Sequence, residues 1–146
     1  MSDGLEPALL RLLGDHRRGV LATIRRDGRP QLSNVGYAFD PEQRVVRVSV
    51  TDDRAKTRNL RRDPRAALHV TTADFGAYLV VDATATLSAV AEEPHDAAVE
   101  ELIEVYRAIG GEHPDWDAYR AAMVADRRLV VRLAVERGYG WAGPNG

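Results

Sequence analysis

The 146-residue sequence contains no cysteine. That excludes disulfides, cysteine nucleophiles, thiolate zinc sites and iron–sulfur clusters. Lysine is almost as scarce: of 20 cationic residues, Lys56 is the one lysine and the rest are arginine. No run approaches the ~18 apolar residues of a membrane span. Arg11, Asp15, His16, Arg17 and Arg18 break the early apolar stretch, which argues against a secretory signal. No Gly-x-Gly-x-x-Gly, P-loop or Gly-x-Ser-x-Gly pattern is present, so Rossmann, ATPase and hydrolase readings lack support. Net charge is only −2, with 45% hydrophobic and 29% charged residues, the balance of a folded chain rather than a disordered one. The expectation is a single domain over residues 1–146, in the cytoplasm.

What is present reads as mainly β. Asp3 and Glu6 have capping-box spacing, and Leu5, Leu9, Leu12 and Leu13 share one helical face. From Gly19 the period becomes two. Asp27-Gly28 suggests a type I′ hairpin turn, followed by a return strand from Pro30 to Phe39. Asp40-Pro41-Glu42 makes a second turn, and Arg44 to Thr51 a third strand, giving an antiparallel meander. Residues 52 to 63 read as helix, stopped by Pro64. Strands follow at Ala66–Thr72 and Tyr78–Val90, around a loop at Ala73–Ala77. Helices are expected at His95–Ile109, ended by Gly110-Gly111, and at Trp116–Ala125. A last strand runs from Leu129 to Val135, before an aromatic, glycine-rich tail, Gly138 to Trp141. Six strands and three or four helices suggest a small closed barrel with little interior room, so a site belongs on the rim or between two copies.

The densest chemistry lies between Asp52 and Arg65. Arg54, Lys56, Arg58, Arg61, Arg62 and Arg65 face only three carboxylates, Asp52, Asp53 and Asp63. Arg54, Arg58, Arg61 and Arg62 have the spacing of one helical face. Basic side chains at a helix start suit a phosphate; the alternative is a solvated basic face. Nucleic acid fits poorly, because the basic stretch is short and the rest of the chain is acidic. His16, His69, His95 and His113 have no metal-ligand spacing, so no metal site is expected. From the residues alone the reaction does not follow.

Gly-Val-Leu-Ala-Thr-Ile (19–24), Asp-Gly-Arg-Pro-Gln-Leu-Ser-Asn-Val (27–35) and Arg-Ala-Lys-Thr-Arg-Asn-Leu-Arg-Arg-Asp-Pro-Arg-Ala (54–66) resemble the flavin/deazaflavin oxidoreductase split-barrel family, related to pyridoxamine 5′-phosphate oxidase. Gly-Glu-His-Pro-Asp-Trp-Asp-Ala-Tyr (111–119), Met-Val-Ala-Asp-Arg-Arg (123–128) and Tyr139-Gly140 extend the resemblance. It is closest to actinobacterial members that use coenzyme F-420, an 8-hydroxy-5-deazaflavin. The resemblance implies a six-stranded antiparallel split barrel with a few flanking helices. It further implies a homodimer with cofactor at the subunit interface. It assigns Arg54 and Lys56 to the cofactor phosphate, with Asn59 nearby. It places Gln31, Leu32, Ser33, Asn34 and Val35, with Ser49, Val50 and Thr51, along the ring. It brings Phe75, Gly76, Ala77 and Tyr78 from the partner subunit. Relatives often carry Trp where this chain has Gly76, a departure at a substrate-stacking position. Arg58, Arg61 and Arg62 would suit the polyglutamate tail of the deazaflavin by charge. The implied reaction is hydride transfer to a planar conjugated small molecule: an enone, lactone, quinone or bilin. No side chain stands out as an obligatory acid, and Tyr78 is one candidate proton donor. Two competing readings remain: an FMN-binding pyridoxamine phosphate oxidase, whose extra C-terminal basic and aromatic residues are missing here, and a non-catalytic F-420 or haem carrier, with His69 as the haem ligand.

Overall fold

The computed structural model describes residues 3–144. Its frame is one antiparallel sheet of seven strands: β1 (Arg18–Ile24), β2 (Pro30–Gly36), β3 (Ala38–Asp40), β4 (Val45–Thr51), β5 (Arg65–Thr71), β6 (Tyr78–Leu87) and β7 (Arg128–Trp141). The order across the sheet is β2-β1-β5-β6-β7-β4-β3. The helices are α1 (Pro7–Asp15), α2 (Ala55–Arg62), α3 (Ala97–Gly110) and α4 (Trp116–Ala125). Among the described residues no helix is long and apolar enough to cross a membrane.

The strand expected from Pro30 to Phe39 is broken at Tyr37 into β2 and β3. These two consecutive pieces lie at opposite ends of the sheet. The sheet therefore curls into a split barrel, six-stranded if the bent strand counts once. The expected meander holds only in part, because β1 pairs β2 while only β3 pairs β4. Near the split, β2 and β4 touch without ladder hydrogen bonds. Tyr37 holds the bend. Its ring is fully buried in the barrel, its hydroxyl donates to Leu13 O at 2.6 Å, and its N–H donates to Arg17 O at 2.9 Å.

Alternation fills the barrel. Leu21, Leu68, Val70, Leu79, Val81, Val46, Val48, Leu129, Val131 and Leu133 all point inward and are buried. The expected leucine face of α1, Leu5, Leu9, Leu12 and Leu13, plugs one end. A second apolar cluster lies outside the barrel, where Val99, Leu102 and Ile103 of α3 and Tyr119 and Met123 of α4 cover Val130 of β7.

Several local expectations are corrected. Asp3 does not cap α1, which starts at Pro7 with Glu6 as an N-cap that makes no side-chain bond. Proline pre-sets that first turn, and Asp3 instead accepts from Leu5 N–H and pairs with Arg44. Only Gly28 (φ +87°), not Asp27, has positive φ, and its N–H donates to Arg25 O. The hairpin is thus a type I turn closed by a left-handed glycine, not type I′. Residues 52–54 precede α2 because Asp52 is drawn into ion pairs with Arg61 and Arg127. β6 stops at Leu87, and α3 starts at Ala97 after the cap Asp96, which accepts from Val99 N–H. The aromatic tail is not loose: β7 runs to Trp141, paired with β6 past a bulge at Asp82/Ala83.

Tyr37→Phe leaves the Leu13 carbonyl without its donor inside the barrel. It is expected to cost about 1–3 kcal/mol in urea unfolding. Tyr139→Phe, on an exposed part of β7, is expected to change stability by less than about 0.5 kcal/mol.

Candidate functional site

The start of α2 concentrates positive charge. β4 ends at Thr51, and the chain turns through residues 52–54 into the helix. Arg54 is the N-cap residue, and no side chain caps the helix. Thr57 and Arg58 N–H donate to Arg54 O, so the first N–H groups, of Ala55 and Lys56, and the positive dipole end face outward toward an external acceptor. Lys56, in the first turn, is half-buried and, among the described residues, makes no hydrogen bond or ion pair. Burial, and then the like charges of Arg54 and Arg128, hold its ammonium below the usual 10.5. Lys56 is therefore a partly desolvated cation among cations, an arrangement that an anion would relieve. Near it opens a cavity of about 510 Å³ bordered by Thr51, Arg54, Arg127 and Arg128 and also by Asp52, Asp53 and Asp126, of which Asp52 is paired with Arg61 and Arg127. The residues fit a phosphate-bearing group.

The remaining basic residues are less available than their spacing suggested. Arg61 pairs with Asp52 at 2.6 Å. Arg62 donates to Ile24 O and to Asn59 Oδ1. Arg65 makes a two-pronged pair with Asp63, which pulls that carboxyl down to about 2. Arg58 donates to Asp53 O and is otherwise exposed. The extended arginine face expected to meet a polyanionic tail thus reduces to Arg54 and Arg58; Arg61 and Arg62 are spent on the protein itself. Asn59 is buried, and its amide donates to Thr23 Oγ1 (3.1 Å) and Gln31 Oε1 (2.7 Å). Both of its N–H bonds are committed to tying α2 to the β1–β2 hairpin.

The strand residues divide by side. On β2, Gln31, Ser33 and Val35 are more buried, whereas Leu32, Asn34 and Gly36 are exposed. On β4, Val50 belongs to the core while Ser49 and Thr51 are partly exposed. Asn34 and Val35 border a second cavity of about 510 Å³ with Arg18, His69, Thr71 and Ile109. Ser49 borders a third, which shares Ile109 with that cavity and Arg128 with the one beside Lys56. Three adjoining hollows thus link the cationic helix start to the β2 edge.

Phe75 to Ala77 lie elsewhere, in the β5–β6 loop, with Tyr78 opening β6, and no hydrogen bond joins them to Arg54, Lys56 or Asn59. The loop is knit by its own bonds: Thr72 Oγ1 donates to Asp74 Oδ1, and Gly76 N–H to the same oxygen. These bonds hold the Asp74 carboxyl below its ordinary range. Phe75 is held at φ +60° and is 80% exposed, a conformation rare for a bulky residue. Ala77 is buried, and Tyr78 is partly exposed beside His69. The loop is a preformed tab pointing away from its own chain. Arg128, 72 positions from Lys56, was invisible to motif reading. The available signal was register: Thr51 pairs with Arg128 across β4–β7.

A split barrel with an anion-accepting helix start beside its open edge is the class this geometry defines. The chain belongs to the pyridoxamine 5′-phosphate oxidase family, whose model matches residues 5–142. It is 28% identical over 133 residues to an F-420H(2)-dependent biliverdin reductase of Mycobacterium tuberculosis, covering 91% of this chain and 85% of that protein. A solved F-420 reductase is similar, with a TM-score of 0.65 and 26% identity over 88% of this chain and 93% of that one. A conserved hypothetical protein of Mycobacterium tuberculosis shares the fold, with a TM-score of 0.71 and 23% identity over 94% and 84% of the two chains.

A lysine held below its ordinary value burdens the folded state with a charge it disfavours. The unfolded chain then binds the proton more tightly, so stability rises with pH as it climbs toward 10.5. Urea unfolding from pH 8 to 10.5 is expected to show wild type gaining on Lys56→Met. At pH 7 the variant should be no less stable than wild type but bind inorganic phosphate more weakly.

Proposed function

We propose that this protein is a coenzyme F-420-dependent reductase that passes a hydride to a planar conjugated small molecule. The observation that carries the reading is Lys56: half-buried, without a counter-charge, beside Arg54 at an uncapped helix start. The preference for the deazaflavin over FMN is supported by the reductases this chain resembles. The coenzyme, when bound, supplies the hydride.

In this reading Arg54, Lys56 and the α2 N–H groups hold the phosphate. The ring lies along the split, against the edge of β2 at Gln31–Val35 and the end of β4 at Ser49–Thr51. A second copy of the chain brings its Phe75–Tyr78 tab over the ring and keeps water out. The preformed, outward-pointing geometry of that tab supports a homodimeric site. Without Trp at position 76, Phe75 is the aromatic group left to pack on substrate. The Tyr78 hydroxyl is a candidate to deliver a proton.

Titration of the purified protein with F-420, FMN and haemin separates the readings. Tighter binding of F-420 than FMN is expected, and the reverse order moves the protein to the FMN oxidases. A Soret shift with haemin, abolished by His69→Ala, would make it a haem carrier. Lys56→Ala is expected to weaken F-420 binding roughly 10- to 100-fold, the loss of one charge-assisted contact. Lys56→Arg tests whether the site needs a compact ammonium rather than a planar fork.

A further inference from the structure

The third hollow lies outside the barrel, between α3, α4 and the β4–β7 ladder. It measures about 290 Å³, and Val105, Tyr106, Ile109, Tyr119 and Met123 form its apolar wall. That is just below the ~300–1,000 Å³ of pockets that enclose a whole drug-sized ligand. It has room for one arm of a larger molecule. The wall is backed by packed aromatic rings. The Tyr106 and Tyr119 rings meet edge-on with centroids 5.0 Å apart, and Trp116 packs edge-on against both. Tyr119 spends its hydroxyl on Leu102 O at 3.0 Å, so it offers the pocket only its ring. Met123 is the adaptable member, and Ile109 is partly exposed at the mouth.

The polar end is Arg128. Its Nη1 donates to Ser49 Oγ at 3.2 Å, and Ser49 borders this pocket but not the cavity beside Lys56. The guanidinium is therefore anchored on the pocket side. Its Nε is buried and has no hydrogen-bond partner. Asp126, whose carboxylate also lines this pocket, is its ion-pair partner at 4.0 Å, outside hydrogen-bond range. The Arg128 side chain is 32% exposed, so a ligand in the pocket meets the rest of the guanidinium rather than the buried Nε. A carboxylate suits it, being able to accept from a guanidinium in the plane of the fork.

We infer that the α3–α4 pocket is a carboxylate-tipped apolar subsite. It takes a single ring or short apolar chain bearing a carboxylate, with Arg128 as the anchor. The inference rests on the reductase reading only in making that arm part of the substrate; the pocket's preference stands without it. It also separates two cationic tasks: Arg54 and Lys56 serve the phosphate, Arg128 the carboxylate.

The probe is 3-phenylpropionate, with neutral 3-phenylpropanamide as control. The chain has two methionines, so labelled methionine methyls give a direct readout in the wild-type protein. The acid is expected to shift the Met123 methyl and to show contacts between its ring protons and that methyl. The acid should bind at least tenfold more tightly than the amide. Arg128→Met should erase that difference, leaving the acid no better than the amide. Ile109→Trp, at the tolerant mouth, should weaken both probes at least tenfold. Equal binding of acid and amide by wild type would overturn the inference. So would a shift confined to other residues, or no binding of the acid at all. Loss of F-420 binding in wild type would refute the reductase reading and leave these probe results standing.

Discussion

Two consecutive pieces of strand, β2 and β3, must serve opposite edges of the sheet, and they are separated by Tyr37 alone. That single buried side chain, bonded to the end of α1 through Leu13, is what turns a flat antiparallel sheet into a split barrel. The rest follows from it. The edge strand β2 comes to touch β4 without ladder bonds, so the barrel keeps an open seam. α2 leaves the end of β4 at that seam, and Asn59 ties it to Thr23 and Gln31 across the gap. The proposed phosphate site and the proposed ring-binding edge of β2 are thereby joined across the seam by the Asn59–Gln31 bond rather than by adjacency along the chain.

Electrostatics at the seam are deliberately unbalanced. Several nearby arginines are paired: Arg61 and Arg127 with Asp52, Arg65 with Asp63, Arg132 with Glu101. Arg54 and Lys56 have no such partner, and burial with neighbouring charge pushes Lys56 down. Folding tolerates this only as a small local cost. Such uncompensated cations are what a binding site holds in reserve for a charged ligand. The neighbouring Arg128 faces a different hollow, bonded to Ser49 and paired at 4.0 Å with Asp126.

Most of the frame was legible in the alternation of β1, β4, β5 and β6 and in the leucine face of α1. The break at Tyr37 was not, because residues 31, 33, 35 and 37 keep one unbroken period of two. Nothing local marks where the strand changes edges, since that is decided by what the ring packs against. The helix start was read three residues early; ion pairing with Arg61 and distant Arg127 holds Asp52 ahead of the helix. Lys56 stood out by composition alone. The reach of the arginines was misjudged for the opposite reason: helical spacing shows which side chains share a face, not which carbonyls and carboxylates that face meets. Arg128 needed the β4–β7 register before its nearness to Lys56 had any meaning.

The central claim is that the Lys56 cluster at the start of α2 receives the phosphate of a deazaflavin. A crystal structure of the protein with F-420 tests it most directly. The account predicts phosphate oxygens within about 2.7–3.2 Å of Lys56 Nζ and of N–H groups in the first turn of α2, with the ring along the β2–β4 seam. A phosphate bound elsewhere, with Lys56 left facing solvent, would contradict it.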